Sequence, residues 1–162
     1  MKKLFVLLCV VLLLCGCSKN TQVTPVIDNI SFAAKITYGD DKYQCESTVK
    51  NDVLNLVVKE PDEIKDLSLT LDKNGVQANF KGVSFTPDLN SFPQGAVVQI
   101  LFDILDDVSK NKNAELKGEN CVIVGNVNNY EYTFTFAPTG LPIQLSVDEI
   151  EFVVEFNNVT II

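Results

Sequence analysis

The chain of 162 residues contains no histidine and no tryptophan. All 13 of its basic side chains are lysines, because arginine does not occur either. Without histidine the chain lacks the one side chain whose ordinary pKa sits near neutrality, so histidine-based acid, base and nucleophile relays are excluded. Without arginine there is no planar, two-pronged donor to clamp a phosphate or carboxylate. Against the lysines stand 21 acids, for a formal charge of −8, which makes nucleic acid a poor partner. With no histidine and only five cysteines, the usual zinc sites are out of reach. No stretch has the spaced acids and closing glutamate of a dedicated calcium loop. Neither a metal nor a cofactor is expected. The carboxylate pairs Asp40-Asp41 and Asp106-Asp107 are sequence neighbours. Adjacent side chains diverge on a strand or helix, so both pairs read as solvated turn or surface acids, and an enzyme is not expected.

What is present begins with Lys2 and Lys3, followed by an uncharged apolar run from Leu4 to Leu14 and then Cys15-Gly16-Cys17. Eleven apolar residues at 1.5 Å each reach roughly 16 Å, about half of a hydrocarbon core, so the run is an export signal and not a membrane span. Leu14-Cys15-Gly16-Cys17 resembles the bacterial lipobox. That resemblance implies cleavage before Cys17, acylation of its thiol and amine, and a protein held on the outer face of the cell membrane or on an outer membrane. One acyl chain binds a bilayer marginally and two or more bind it stably. Loss of Lys2 and Lys3 with the leader takes the formal charge to about −10, so attachment comes from the anchor and not from a basic face. Ser18 to Asn29 is mostly polar, contains Pro25 and shows no clear period. It reads as a flexible tether over 18–29 that spans up to roughly 40 Å, with a first strand at Val23 to Ile27 as the alternative.

Residues 30–162 have the length of one domain. Cys9 and Cys15 leave with the leader, so Cys45 and Cys121 are the cysteines of the domain besides the anchor. They form either a single disulfide closing a long loop or two buried thiols. Alternation with period 2 dominates. Ile30, Phe32, Ala34, Ile36 and Tyr38 share a face, and Gly39-Asp40-Asp41 turns the chain into Tyr43, Cys45, Ser47 and Val49. Further strands run over Val53 to Lys59, Leu67 to Asp72, Val76 to Phe80 and Val83 to Phe85, with Asn74-Gly75 as a type I′ turn. The second half repeats the habit at Cys121 to Val127, Tyr130 to Phe136, Ile143 to Val147 and Ile150 to Phe156, ending on Val159 to Ile162. Only 92–110 breaks the pattern: Val97, Leu101, Ile104, Leu105 and Val108 recur at helical spacing, with Pro93 at the first helical position and Ser91 to cap it. Nine or ten strands joined in order and one greasy helix predict a mainly β fold, a curved antiparallel meander sheet, or half-barrel, wrapped around one amphipathic helix.

An exported chain with meandering strands, one lid-like helix, a Gly140-Leu141-Pro142 turn and a closing strand is similar to the LolA/LolB-like lipoprotein-carrier superfamily. The resemblance implies a cavity between sheet and helix that holds acyl chains. In one respect the chain departs from it: the periplasmic carriers latch the lid with an arginine. Lipid or another apolar ligand is therefore the expected partner, with Val97, Leu101, Phe102 and Leu105 on the helix and Phe134, Phe136, Phe152 and Phe156 on the sheet lining the pocket. Two alternatives stand beside this. The same residues make a closed core at these spacings, and a tethered domain of this kind also serves as an envelope scaffold that binds a protein partner. The anchor is testable directly: Cys17→Ala should abolish incorporation of radiolabelled fatty acid when the chain is expressed in a bacterium.

Overall fold

The computed structural model describes residues 23–87, 93–110 and 114–162. The leader, Cys17 and the first part of the expected tether lie outside the described residues, as do Ser91 and Phe92 at the expected start of the helix. The described chain forms β1 (Ile30–Tyr38), β2 (Asp41–Lys50), β3 (Val53–Glu60), β4 (Ser68–Asp72), β5 (Gly75–Phe80) and β6 (Val83–Phe85). Helix α1 (Pro93–Lys110) follows, then β7 (Glu115–Lys117), β8 (Asn120–Val127), β9 (Tyr130–Phe136), β10 (Pro142–Val147) and β11 (Phe152–Ile161). All eleven strands join one antiparallel sheet in the order β6-β5-β4-β3-β2-β1-β11-β10-β9-β8-β7. The first six strands are one meander and the last five another. They meet where the first strand pairs the last, from Ile30 opposite Ile161 to Tyr38 opposite Phe152. The sheet does not close on itself. The chain leaves one edge at β6, passes through α1, and re-enters at the opposite edge, β7.

Hairpin chemistry sets the register. Asn51 and Asp52 have φ of 52° and 59°, and Asn128 and Asn129 have 53° and 68°, the pair of positive values that a two-residue I′ turn requires and that short amide or acid side chains tolerate. The turn expected at Asn74-Gly75 falls one residue earlier. Asp72 pairs with Gly75, so the turn residues are Lys73 and Asn74. The Asp72 carboxylate accepts the Asn74 N–H at 2.7 Å, closing the turn from its own side chain, and Gly75 takes up the positive φ of 121°. The strand at β7 has only three residues and carries no readable alternation, so pairing with β8 rather than pattern defines it.

Within the expected tether over 18–29, the described residues from Val23 onward are tied to the domain. Val23 bridges to Ala114, the Val26 N–H donates to the Gly140 carbonyl at 2.8 Å, and Ile27 is buried. Gly140 permits this: its φ is 85°, and a Cβ there would run into the Thr24 carbonyl oxygen. The first strand suggested for Val23 to Ile27 is likewise reduced to the single bridge at Val23.

One face of the sheet is apolar throughout. Ile30, Phe32, Ala34 and Ile36 of β1, Leu54, Leu56 and Val58 of β3, and Phe152, Val154 and Phe156 of β11 are all buried on it. Helix α1 lies against this face through Val97, Val98, Leu101, Ile104, Leu105 and Val108, all buried. Ser47 of β2 is the one buried polar side chain among the described residues, and its hydroxyl has no partner. The C-terminal half of the helix is fixed to the β8–β9 hairpin by polar contacts. The Tyr132 hydroxyl donates to Asp107 at 2.5 Å, and the Asn128 side-chain amide donates to Asp103 at 2.7 Å. Gly125 sits opposite Tyr132 in register, and a Cβ on it would overlap the Tyr132 ring. Gly125→Ala should therefore displace that ring and lower stability by about 1–3 kcal/mol, read as a fall in the urea midpoint with an unchanged slope.

Candidate functional site

The helix does not cover the apolar face evenly. Toward β8–β11 the face carries large rings. Tyr132, Phe134, Phe136 and Phe152 are at most 1% exposed, the Phe134 and Phe136 centroids are 4.3 Å apart, and Phe156 stacks on Phe134 at 5.4 Å and meets Phe32 at 5.0 Å. Such contacts leave no room between them, so this half is solid. Toward β2–β6 the inward residues are smaller. Cys45 from β2, Val58 from β3, and Val76 and Ala78 from β5 line a cavity of about 370 Å³ whose opposite wall includes Val97 and Val98 of the helix. That volume lies within the range of small-molecule and lipid-tail sites, roughly 300–1,000 Å³.

The walls follow from the strand alternation. Ile36, Cys45, Leu56, Val58, Leu69, Val76 and Ala78 point inward from the sheet, and Val97 and Val98 close the space from the first turns of α1. The β3–β4 loop supplies Pro61, Glu63, Ile64 and Leu67, and the edge adds Phe85 and Pro87. Glu63 is the only charged residue among these walls, and the Tyr43 hydroxyl and Cys45 thiol are the only other polar side-chain groups. Such a chamber offers dispersion and exclusion of water and almost no directional bonding, which suits a flexible hydrocarbon.

The eight residues expected to line a pocket divide. Val97 lines the cavity. Leu101 is wholly buried in the core, and Phe102 and Leu105 border a second void of only about 30 Å³, enough for a water and not a ligand. Phe134, Phe136, Phe152 and Phe156 belong to the solid aromatic half and do not touch the cavity. The site lies at the other end of the sheet, on residues that sequence reasoning placed on the inward face without assigning them to a pocket. The available signal was side-chain size: small inward residues cluster on β2 and β5, and large ones on β9 and β11.

Cys45 and Cys121 are both buried and unbonded, so the disulfide alternative gives way to the buried-thiol one. Cys45 is on β2 and Cys121 on β8, with β1, β11, β10 and β9 between them in the sheet. Bonded cysteines need Cα atoms within about 7 Å, and strand spacing alone is about 4.8 Å per step. Among the described residues no three or more Cys, Asp or Glu side chains gather to hold a metal ion.

Burial pushes the Cys45 thiol from its ordinary 9.0 up to about 12, as an apolar wall should. The Tyr132 phenol is also raised, first by burial and then by its hydrogen bond to Asp107. The unfolded chain releases the thiol proton near pH 9 while the folded protein retains it, so this contribution to stability is complete below about pH 9 and declines as pH rises toward 12. The expected decline due to Cys45 is up to about 1.4 kcal/mol per pH unit. It should appear as a difference in the pH dependence of urea unfolding between the parent chain and Cys45→Val above about pH 9, with parallel curves below it.

Comparison with protein families, with curated proteins and with solved structures returned no match to this chain.

Proposed function

We propose that this chain is an exported, lipid-anchored protein of the bacterial cell envelope that holds an apolar ligand, above all the acyl chain of a lipid, between its sheet and its helix. The observation that carries the reading is the 370 Å³ cavity, with one charged residue in its walls. Its floor is lined by buried apolar side chains, and a hydrocarbon seated on it would gain the dispersion contacts and dehydration that the empty chamber forgoes. The leader ending in Leu14-Cys15-Gly16-Cys17 supports the membrane attachment, and an anchored protein with an acyl-sized chamber is suited to taking up or presenting lipid in the envelope. The role is one of binding and not of catalysis.

Ala78 provides the test. It is buried at the cavity wall on β5, and Phe in its place would occupy space that is now empty. Expressed from Ser18 without its anchor and purified gently, the parent protein should carry stoichiometric lipid by native mass spectrometry and organic extraction. Ala78→Phe should lose the ligand while keeping or raising its melting temperature. A parent protein that neither carries lipid nor displaces a fluorescent fatty acid would turn the search toward a protein partner. In that case edge strand β6, where Val83 is 64% exposed, is the place to start.

A further inference from the structure

We infer that the cavity selects an apolar chain with a positively charged head group over one that ends in an anion, and that Glu63 is the selecting residue; this rests on the cavity being a binding site. The lining separates by exposure into floor and rim. Cys45, Leu56, Val58 and Ala78 are at most 4% exposed and form the floor. Glu63 and Phe85 are exposed, and Ile64, Leu67 and Pro87 are half-buried, so among the described residues the cavity opens between the β3–β4 loop and edge strand β6. A tail on that floor leaves its head group beside Glu63.

The charge around the opening is one-sided. The loop with Glu63 also carries Glu60, Asp62 and Asp66 against Lys65 alone, and the β1–β2 turn at the same end of the sheet brings Asp40 and Asp41 against Lys42. Lys59 and Lys81 stand at the same end: Lys59 pairs with Glu46 at 2.8 Å and also feels the charge of Asp66, and Lys81 lies over the Phe80 ring at 4.9 Å from its centroid and keeps its charge. Acids thus outnumber lysines where the cavity opens, and Glu63 is the one of them that lines its described walls. A cationic head is attracted there and an anionic head repelled, so the two differ by twice the interaction of either. At a half-screened rim this amounts to about tenfold or more in affinity, and it shrinks in high salt.

The test uses the full chain in nanodiscs of phosphatidylcholine, a bilayer with no net charge. Two probes share a decyl chain with a mid-chain diazirine, one ending in trimethylammonium and the other in sulfonate. After illumination, label on the β3 and β4 peptides is quantified by mass spectrometry. The trimethylammonium probe should half-saturate at about tenfold lower concentration. Glu63→Lys, a change at an exposed position that the fold accommodates, should abolish or invert that preference, and Glu63→Gln should narrow it. Equal half-saturation by the two probes, or a preference unchanged in Glu63→Lys, overturns the selection while leaving the cavity as a binding site. If neither probe labels β3 or β4, the cavity reading falls with it.

Discussion

Burial on one face only is the constraint from which the rest of the molecule follows. Period-2 alternation over the longer strands of an eleven-stranded sheet creates an apolar face far wider than one helix, and water must be kept from all of it. Curvature reduces the area to be covered, and α1 covers part of what is left. The remainder has two solutions in the same sheet. Where β9 and β11 supply Phe134, Phe136, Phe152 and Phe156, the side chains fill the space themselves. Where β2 and β5 supply Cys45 and Ala78, they do not, and the cavity is the unfilled remainder. The site therefore arises from an uneven distribution of side-chain volume along one sheet and needs no special motif.

The helix is held in a correspondingly uneven way. Its C-terminal half is fixed to β8 and β9 by Asp103 and Asp107, which accept from Asn128 and Tyr132, and the close approach of the Tyr132 ring depends on Gly125 having no side chain. Its first turns touch the cavity through Val97 and Val98, which offer only dispersion contacts. One end of α1 is thus bonded over a solid floor, while the other rests over a void. In a chain without arginine, carboxylates on the helix and neutral donors on the sheet take over the task of joining the two layers.

Much of the fold was legible because alternation and turn chemistry are local. Ile30 to Tyr38, Tyr130 to Phe136 and the helical spacing of Val97, Leu101 and Val108 each announce their element within one window, and Gly39-Asp40-Asp41 marks the turn between β1 and β2. The Asn74-Gly75 pair misled by one residue because Asp72 could close the turn with its own carboxylate. The β7 strand was missed because three residues hold no period. The site was less legible. Large aromatic residues suggest a greasy pocket, yet they are the residues best able to fill one, and a cavity is marked instead by what is small. The pairing of the cysteines was equally beyond local reading, because strand order, not sequence, separates Cys45 from Cys121.

The centre of the sheet is a seam between the first strand and the last. Ile30 faces Ile161, and the Ile162 N–H donates to the Asn29 carbonyl at 2.8 Å. These contacts join residues more than a hundred positions apart, the most distant kind that a chain of this length can make, and long-range pairing of this sort slows folding. During synthesis β1 can pair with β2 at once, but its other side stays open until β11 has been made. The two meanders can each form early as separate halves, and only the last strand turns them into one continuous core. A sheet built this way lacks its central pairing until β11 has emerged.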